Sequence, residues 1–374
     1  MSCTLRAAEG LFPAPHTQFC PNPACPARGA RGLGNIVVHS QWERRYRCTR
    51  CGKTFADTYG TPFYRKHYAK QLMTLVVRLM AHGCPLQAIV VAFGLDQRTV
   101  ASWVQAAGQH CAGVHEHLVQ AGRVDTRHVQ ADELWVKLVG QRVWQAMAVA
   151  VESRLWLGGV LSPTRDLALI ERLAQRVRAS VQCLDVLVCV DGLSSYVRAV
   201  LRAFRTKVPR EGRRGRCRLQ LAAGLQIGQM IKRYSGRRVV AVVRRVVRGS
   251  AEAIRALLAA TASGTDINTA YIERLNATFR SRWAALARRS RRLAKTMALA
   301  EAGMWLVGTV YNFCTPHASL NGRTPALAAG LTDTCWTAAD LLHYKVPPPP
   351  WQPPKRRGRP PKAKPQPDVR RPAV

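Results

Sequence analysis

Val186-Leu-Val-Cys-Val-Asp191-Gly192 is the stretch on which the fold class turns. A short, wholly apolar run of this kind describes a strand buried on both faces, and Gly192 marks where the chain must turn. Upstream, Asp166–Val177 has the spacing of an amphipathic helix. Before it, His128–Leu134 alternates, and Val143–Val151 and Arg154–Leu161 are rich in Val, Leu and Trp with turn residues between them. Strand-strand-strand-helix-strand predicts an α/β fold with a mixed sheet.

Working outward, three acids occupy informative positions. Asp191 directly ends the buried strand, facing the crevice where α/β proteins place ligands. Asp132 lies in the first strand, within Ala131-Asp-Glu-Leu-Trp135. Alternation turns Glu133 to the opposite face, which makes it the weaker site candidate. The third acid is in Asn268-Thr-Ala-Tyr-Ile-Glu-Arg-Leu-Asn-Ala-Thr-Phe-Arg280. As a helix, this segment puts Ile272, Leu275 and Phe279 on one stripe, continued by Trp283 and Leu286. Glu273, Asn276 and Arg280 fall on a neighbouring face. Each acid alone has a plainer reading: a turn residue for Asp191, a salt-bridged edge position for Asp132, a structural helix around Glu273. Together, in a chain with 21 acidic and 57 basic residues, they point to a shared site.

Composition narrows the partner. A length of 374 residues allows two or three domains, and a hydrophobic fraction of 47% describes a chain globular over most of its length. The formal charge of +36 calls for a polyanion, and nucleic acid fits better than a membrane surface because no long cationic amphipathic helix stands out. Arg exceeds Lys, but high genomic GC content produces the same bias. The start lacks the basic-then-apolar pattern of a signal peptide, and the apolar region Leu299–Phe313 contains Glu301 and is too short for a membrane span. A cytoplasmic protein is expected.

Cys20-Pro-Asn-Pro-Ala-Cys25 and Cys48-Thr-Arg-Cys51 form two knuckles flanking a predicted hairpin, Ile36–His39 with Arg44–Arg47. Four thiolates from two turns suit structural Zn²⁺, giving a zinc ribbon over residues 18–60; four unliganded buried cysteines are the plain alternative. Tyr68–His82, Leu86–Phe93 and a third helix capped by Asp96 follow, separated by Gly83 and Gly94. Over residues 65–120 they read as a helix-turn-helix DNA-binding domain with Arg98 on its polar side, or else as a plain three-helix linker. Arg202–Arg218, including Arg213 and Arg214, and the arginines from Arg237 to Arg248 read as a DNA-tracking surface or a solvated helical face, with Arg288, Arg289, Arg291 and Arg292 read as adding to it. From 346 to 374 the composition turns to Pro, Lys and Arg, predicting a disordered basic tail whose Gly358-Arg359-Pro360 centre resembles an AT-hook.

Ala131-Asp-Glu-Leu-Trp135, Val190-Asp-Gly192 and Asn268–Asn276 resemble the three acidic motifs of bacterial insertion-sequence transposases of the Asp-Asp-Glu class. The Cys48 knuckle, with Gly52-Lys-Thr-Phe55 and Thr61-Pro-Phe-Tyr64, is similar to the zinc ribbon of such elements. Tyr311-Asn-Phe313, His317 and Gly322-Arg-Thr-Pro-Ala326 resemble the segment that closes the domain. The likeness spans roughly residues 18–335, and the wide Cys20 knuckle departs from it. It implies an RNase H-like catalytic domain, over residues 127–330, of the kind shared with retroviral integrases. It also implies Asp132, Asp191 and Glu273 as catalytic ligands of Mg²⁺ or Mn²⁺, Asp132 bridging two ions. Asn276 and Arg280 are then expected to contact DNA or orient Glu273. The partners implied are the element's terminal inverted repeats and target DNA in the bacterial nucleoid, bound by a homodimer or higher oligomer. A DNA-binding regulator, an inactive relic, or a nuclease without strand transfer are the competing readings.

Overall fold

The computed structural model describes residues 12–121, 124–209, 216–286 and 294–353. The expectations for Arg213, Arg214, Arg288, Arg289, Arg291, Arg292 and Arg359 lie outside these residues. The chain separates into two units, Met1–Asp57 with Pro347–Val374, and Thr58–Val346.

In the first unit, β1 (Ile36–Ser40), β2 (Arg45–Cys48) and β3 (Thr54–Ala56) form an antiparallel sheet. The first two are the expected hairpin; β3 adds to it, pairing Phe55 with Tyr46 so that both rings join the core. That core is small: Cys20, Cys25, Ala27, Ile36, Tyr46, Cys48 and Phe55. So little apolar area does not offset chain entropy without a cross-link or metal. The Pro348 carbonyl sits where a Cβ at Gly29 would be. Residues 347–353 thus lie against this unit, instead of beginning a free tail at 346.

The second unit opens with α1 (Lys70–Ala81), α2 (Leu86–Phe93) and α3 (Gln97–Leu118). The left-handed Gly94 ends α2, and Asp96 caps α3 by accepting from the Arg98 and Thr99 amides at 2.7 and 3.2 Å. Then come β4 (His128–Leu138), β5 (Gln141–Ala150), β6 (Trp156–Ser162), α4 (Leu167–Ser180) and β7 (Leu187–Asp191), in the expected order. α5 (Ser194–Ala203), β8 (Arg205–Val208), β9 (Arg218–Leu221), β10 (Gln226–Ser235), β11 (Arg238–Arg248) and α6 (Ala251–Ala260) follow. The unit closes with α7 (Ala270–Arg282), α8 (Met297–Cys314), α9 (Pro325–Ala328) and α10 (Ala338–His343).

The main sheet runs β11-β10-β7-β4-β5-β6. β7 is parallel to both neighbours, β4 and β10, while the other pairs are antiparallel, so the sheet is mixed as expected. β7 is apolar throughout because elements cover both its faces: Val188 and Val190 join the main core and Leu187 and Cys189 a second one with α6.

The helices of residues 65–120 share one core with the sheet, running from Phe63 to Leu342 within the Thr58–Val346 unit. α3 and α8 approach closely at Gly108, where any Cβ would collide with Ala302. Gly308 likewise makes room for the Trp156 ring, which meets His115, Phe279 and Trp305 edge-on or tilted. Asn312 then closes the edge of β6, accepting from Trp156 N at 2.9 Å and donating to Trp156 O at 2.8 Å.

In the basic stretch after Asp191, Arg202 ends up in α5, and among the described residues from Arg205 to Arg248 the regular elements are the strands β8 to β11. Paired valines in β11 favour extended backbone. β10 pairs with β7 only over Gln226–Met230, and beyond that point β10 and β11 continue as a two-stranded ribbon. Among the described residues, no helix is long and apolar enough to cross a membrane.

Candidate active site

The register of the sheet sets the two aspartates side by side. Parallel pairing of β4 with β7 ends at Ala131 opposite Val190, and the next residues are Asp132 and Asp191. Gln130, one turn of the pleat earlier, accepts the Tyr271 and Ile272 amides of α7 through Oε1 at 2.9 and 3.1 Å. Those are two of the amides that a helix leaves free at its N-terminus, so Gln130 fixes where α7 begins. Ile272, Leu275 and Phe279 are buried as expected, but α7 stops at Arg282, and Trp283 continues as extended chain. Leu286 is buried from a separate short turn.

With α7 anchored, Glu273 faces the same cavity as the aspartates. The cavity measures about 450 Å³ and is lined by Asp132, Asp191, Glu273, Arg165, Lys232 and Tyr234, among others. Asn276, one turn beyond Glu273, donates from Nδ2 to Asp132 Oδ2 at 2.7 Å. Its own Oδ1 is buried with no partner. Asn276 is only 1% exposed, so the structure places it behind Asp132 and away from any surface a DNA strand could reach. Arg280 is half-buried on the same helix, and Arg98 is exposed in the first turn of α3.

Two cations of the chain sit among the acids. Lys232 on β10 donates to Glu273 Oε1 at 2.6 Å, and Thr269 donates to the same oxygen at 2.9 Å. This bond raises the Lys232 ammonium above the ordinary lysine range. Arg165, in the turn before α4, binds Glu133 through Nε at 2.7 Å and through Nη2, and its Nη2 is 3.7 Å from Asp191 Oδ2. Asp191 also has the turn role considered for it, accepting from Leu193 N at 2.9 Å.

Glu133 requires a correction. Alternation does turn it to the opposite face from Asp132, toward Tyr196 of α5, whose hydroxyl donates to Glu133 Oε2 at 2.8 Å. Yet a ligand oxygen of Glu133 lies within 4.8 Å of those of both Asp132 and Asp191. β7 ends here, so the longer glutamate side chain returns past the strand end. Glu273, held by Lys232, lies outside that close group.

Crowding has an electrostatic cost. Burial, with the neighbouring charges of Glu133 and Asp191, pushes the Asp132 carboxyl up to about 7. Burial and the Asp191 charge likewise raise Glu133. A divalent cation fits such a group chemically: hard oxygen donors, excess negative charge and one carboxyl that holds its proton for want of a counter-ion.

In the first unit the four cysteines come together. Cys20 Sγ is 3.6 Å from Cys51 Sγ, and Cys25 Sγ is 3.9 Å from Cys48 Sγ. Tetrahedral Zn–S bonds of about 2.3 Å imply sulfur pairs about 3.8 Å apart, whereas a disulfide brings them to about 2.0 Å. Asn35 donates to Cys48 Sγ at 3.2 Å, the kind of support a metal thiolate receives. All four residues of the expected set are therefore in one cluster able to hold a metal.

Glu133, Arg165 and Lys232 were the residues that motif and spacing do not single out. Only the adjacency of Glu133 to Asp132 was visible as a signal. No protein-family model matches this chain, and no curated protein sequence matches it.

Proposed function

We propose that this chain is a DNA transposase of the Asp-Asp-Glu class, with an RNase H-like catalytic fold that cleaves phosphodiester bonds at the ends of its own element and joins the freed 3′ hydroxyls to target DNA. The observation that carries the reading is the convergence of Asp132, Asp191 and Glu273, from β4, β7 and α7, on one cavity of a chain with net charge +36. The mixed sheet, with Asp132 and Asp191 just past the point where the parallel pairing of β4 and β7 stops, supports it.

Asp132, Asp191 and Glu273 would hold the divalent ions, with Glu133 close enough to join them. When bound, Mg²⁺ or Mn²⁺ would polarise the phosphate and lower the pKa of water. The chain's own work is positional. Asn276 fixes one oxygen of Asp132, the Leu193 amide fixes one of Asp191, and Gln130 anchors the helix that brings Glu273. Lys232 pairs with Glu273, and Arg165 with Glu133 near Asp191; with ions held by the acids, Lys232 would be available to a phosphate oxygen of the substrate. The four-cysteine unit, as a zinc ribbon, and α1–α3, with Arg98 exposed, would supply further DNA contacts.

The test is Asp191→Asn in the full chain, assayed on DNA flanking the gene. Binding should persist while Mg²⁺-dependent cleavage drops by more than about a hundredfold. Undiminished cleavage would reject the assignment.

A further inference from the structure

The ribbon of β10 and β11 presents one face toward the acidic cavity. Along β10, Met230, Lys232 and Tyr234 share that face by alternation and line the cavity, together with Ile231, and a bulge in the pairing between Arg233 and Tyr234 brings Val239 opposite Tyr234. Their cross-strand partners are Arg244, Val242 and Val239. Arg244 is tied down by its bond to Ile267 O at 3.1 Å, and Lys232 is tied to Glu273. Tyr234, Val239 and Val242 remain as a continuous patch, 61%, 48% and 41% exposed. An aromatic ring with two valines beside it is an unusual surface to leave in water, and the ribbon that carries it is cationic, with Arg237 exposed in its turn and Arg233 and Arg238 exposed on its other face. Between Gln226 and Arg248 there is no Asp or Glu.

The ligand that suits this face has a flat apolar part and a negative charge about two strand residues away, where Lys232 meets Glu273. Strand rise puts that separation at about 7 Å. A nucleotide has this layout: base on the Tyr234 patch, phosphate at the acidic cluster once cations are bound there. Within a duplex the bases stay stacked on one another, so no π-face is free beside an internal phosphate. We infer that the Tyr234–Val239–Val242 patch is a stacking platform for an unpaired nucleobase next to the phosphate that reacts. The inference rests on the nucleic-acid reading above and adds to it that the strand at the cavity is locally unpaired. The cationic ribbon, which carries no acid, contributes the charge complementarity, and the same charge opposes burial of the patch against a second copy carrying identical cations.

The full chain is titrated, in Ca²⁺ to prevent cleavage, against two DNAs taken from the gene's flanks. One is a blunt duplex; the other is the same duplex with an unpaired extension carrying 2-aminopurine. The wild-type protein should bind both and change the 2-aminopurine emission. Tyr234→Ala should bind the extended DNA roughly tenfold more weakly, lose the emission change and bind the blunt duplex as before. Tyr234→Phe, which keeps the ring, should match wild type. Equal losses on both DNAs, or no loss on either, would overturn the platform. So would a change in sedimentation mass on Tyr234→Ala, which would make the patch an interface between copies. If the wild-type protein binds neither DNA, the transposase reading itself fails and the platform falls with it.

Discussion

At the scale of single residues, Asp132 carries the electrostatic load of the site. Its carboxyl titrates near 7 because burial and the charges of Glu133 and Asp191 all favour the protonated form. A cation must displace that proton, so metal affinity should weaken about tenfold per pH unit below 7 and level off above it. Calorimetry with Mn²⁺ in buffers of different ionisation enthalpy would show about one proton released from Asp132 on loading the site near pH 6. The sign for stability follows from the same shift. The folded state holds the proton between pH 4 and 7 where the unfolded chain has lost it, so metal-free stability falls as pH rises through that window. Asp132→Asn should therefore raise the metal-free Tm increasingly from pH 5 to pH 8, and saturating Mn²⁺ should reverse the order of the two proteins. Asn276 acts through Asp132 alone, and Asn276→Ala should weaken Mn²⁺ binding by about 10–100-fold. A purely structural role would change Tm but not that affinity.

Elements explain what could and could not be read beforehand. α2, the Asp96 cap of α3 and the order from β4 to β7 follow from hydrophobic period and capping residues, both of which are local properties. Strand pairing is not local. Periodicity shows that β4 and β7 exist, but only their parallel register puts Asp132 beside Asp191. Glu133 was set aside because alternation describes the direction leaving Cα. It does not describe where a longer side chain ends once the neighbouring strand has stopped. Lys232 and Tyr234 lie between the two arginine-rich stretches read for their charge, and only the ribbon gives them a common face. The glycines of α8 belong to this scale too. Gly308→Ala forces a methyl into the Trp156 ring and should destabilise the Thr58–Val346 unit by about 1–3 kcal/mol, measurable by chemical denaturation.

At the scale of the molecule, the two units should respond to different removals. If the proposed metal is held by Cys20, Cys25, Cys48 and Cys51, the small core around them depends on it, so chelation or Cys48→Ser should unfold residues 12–57 and leave the other unit's transition in place. Two transitions by calorimetry in the wild type, and one after chelation, would show this. A net charge of +36 makes DNA affinity steeply salt-dependent, and sequence shows that charge without showing which arginines touch phosphate. The claim joining all scales is that Asp191 is a metal ligand in phosphodiester cleavage. Asp191→Cys tests it most directly, because a thiolate is a poor ligand for Mg²⁺ and a better one for softer Mn²⁺. The variant should bind flanking DNA, leave it uncut in Mg²⁺ and regain part of its cleavage in Mn²⁺. Cleavage in Mg²⁺ equal to that of the wild type would contradict the account.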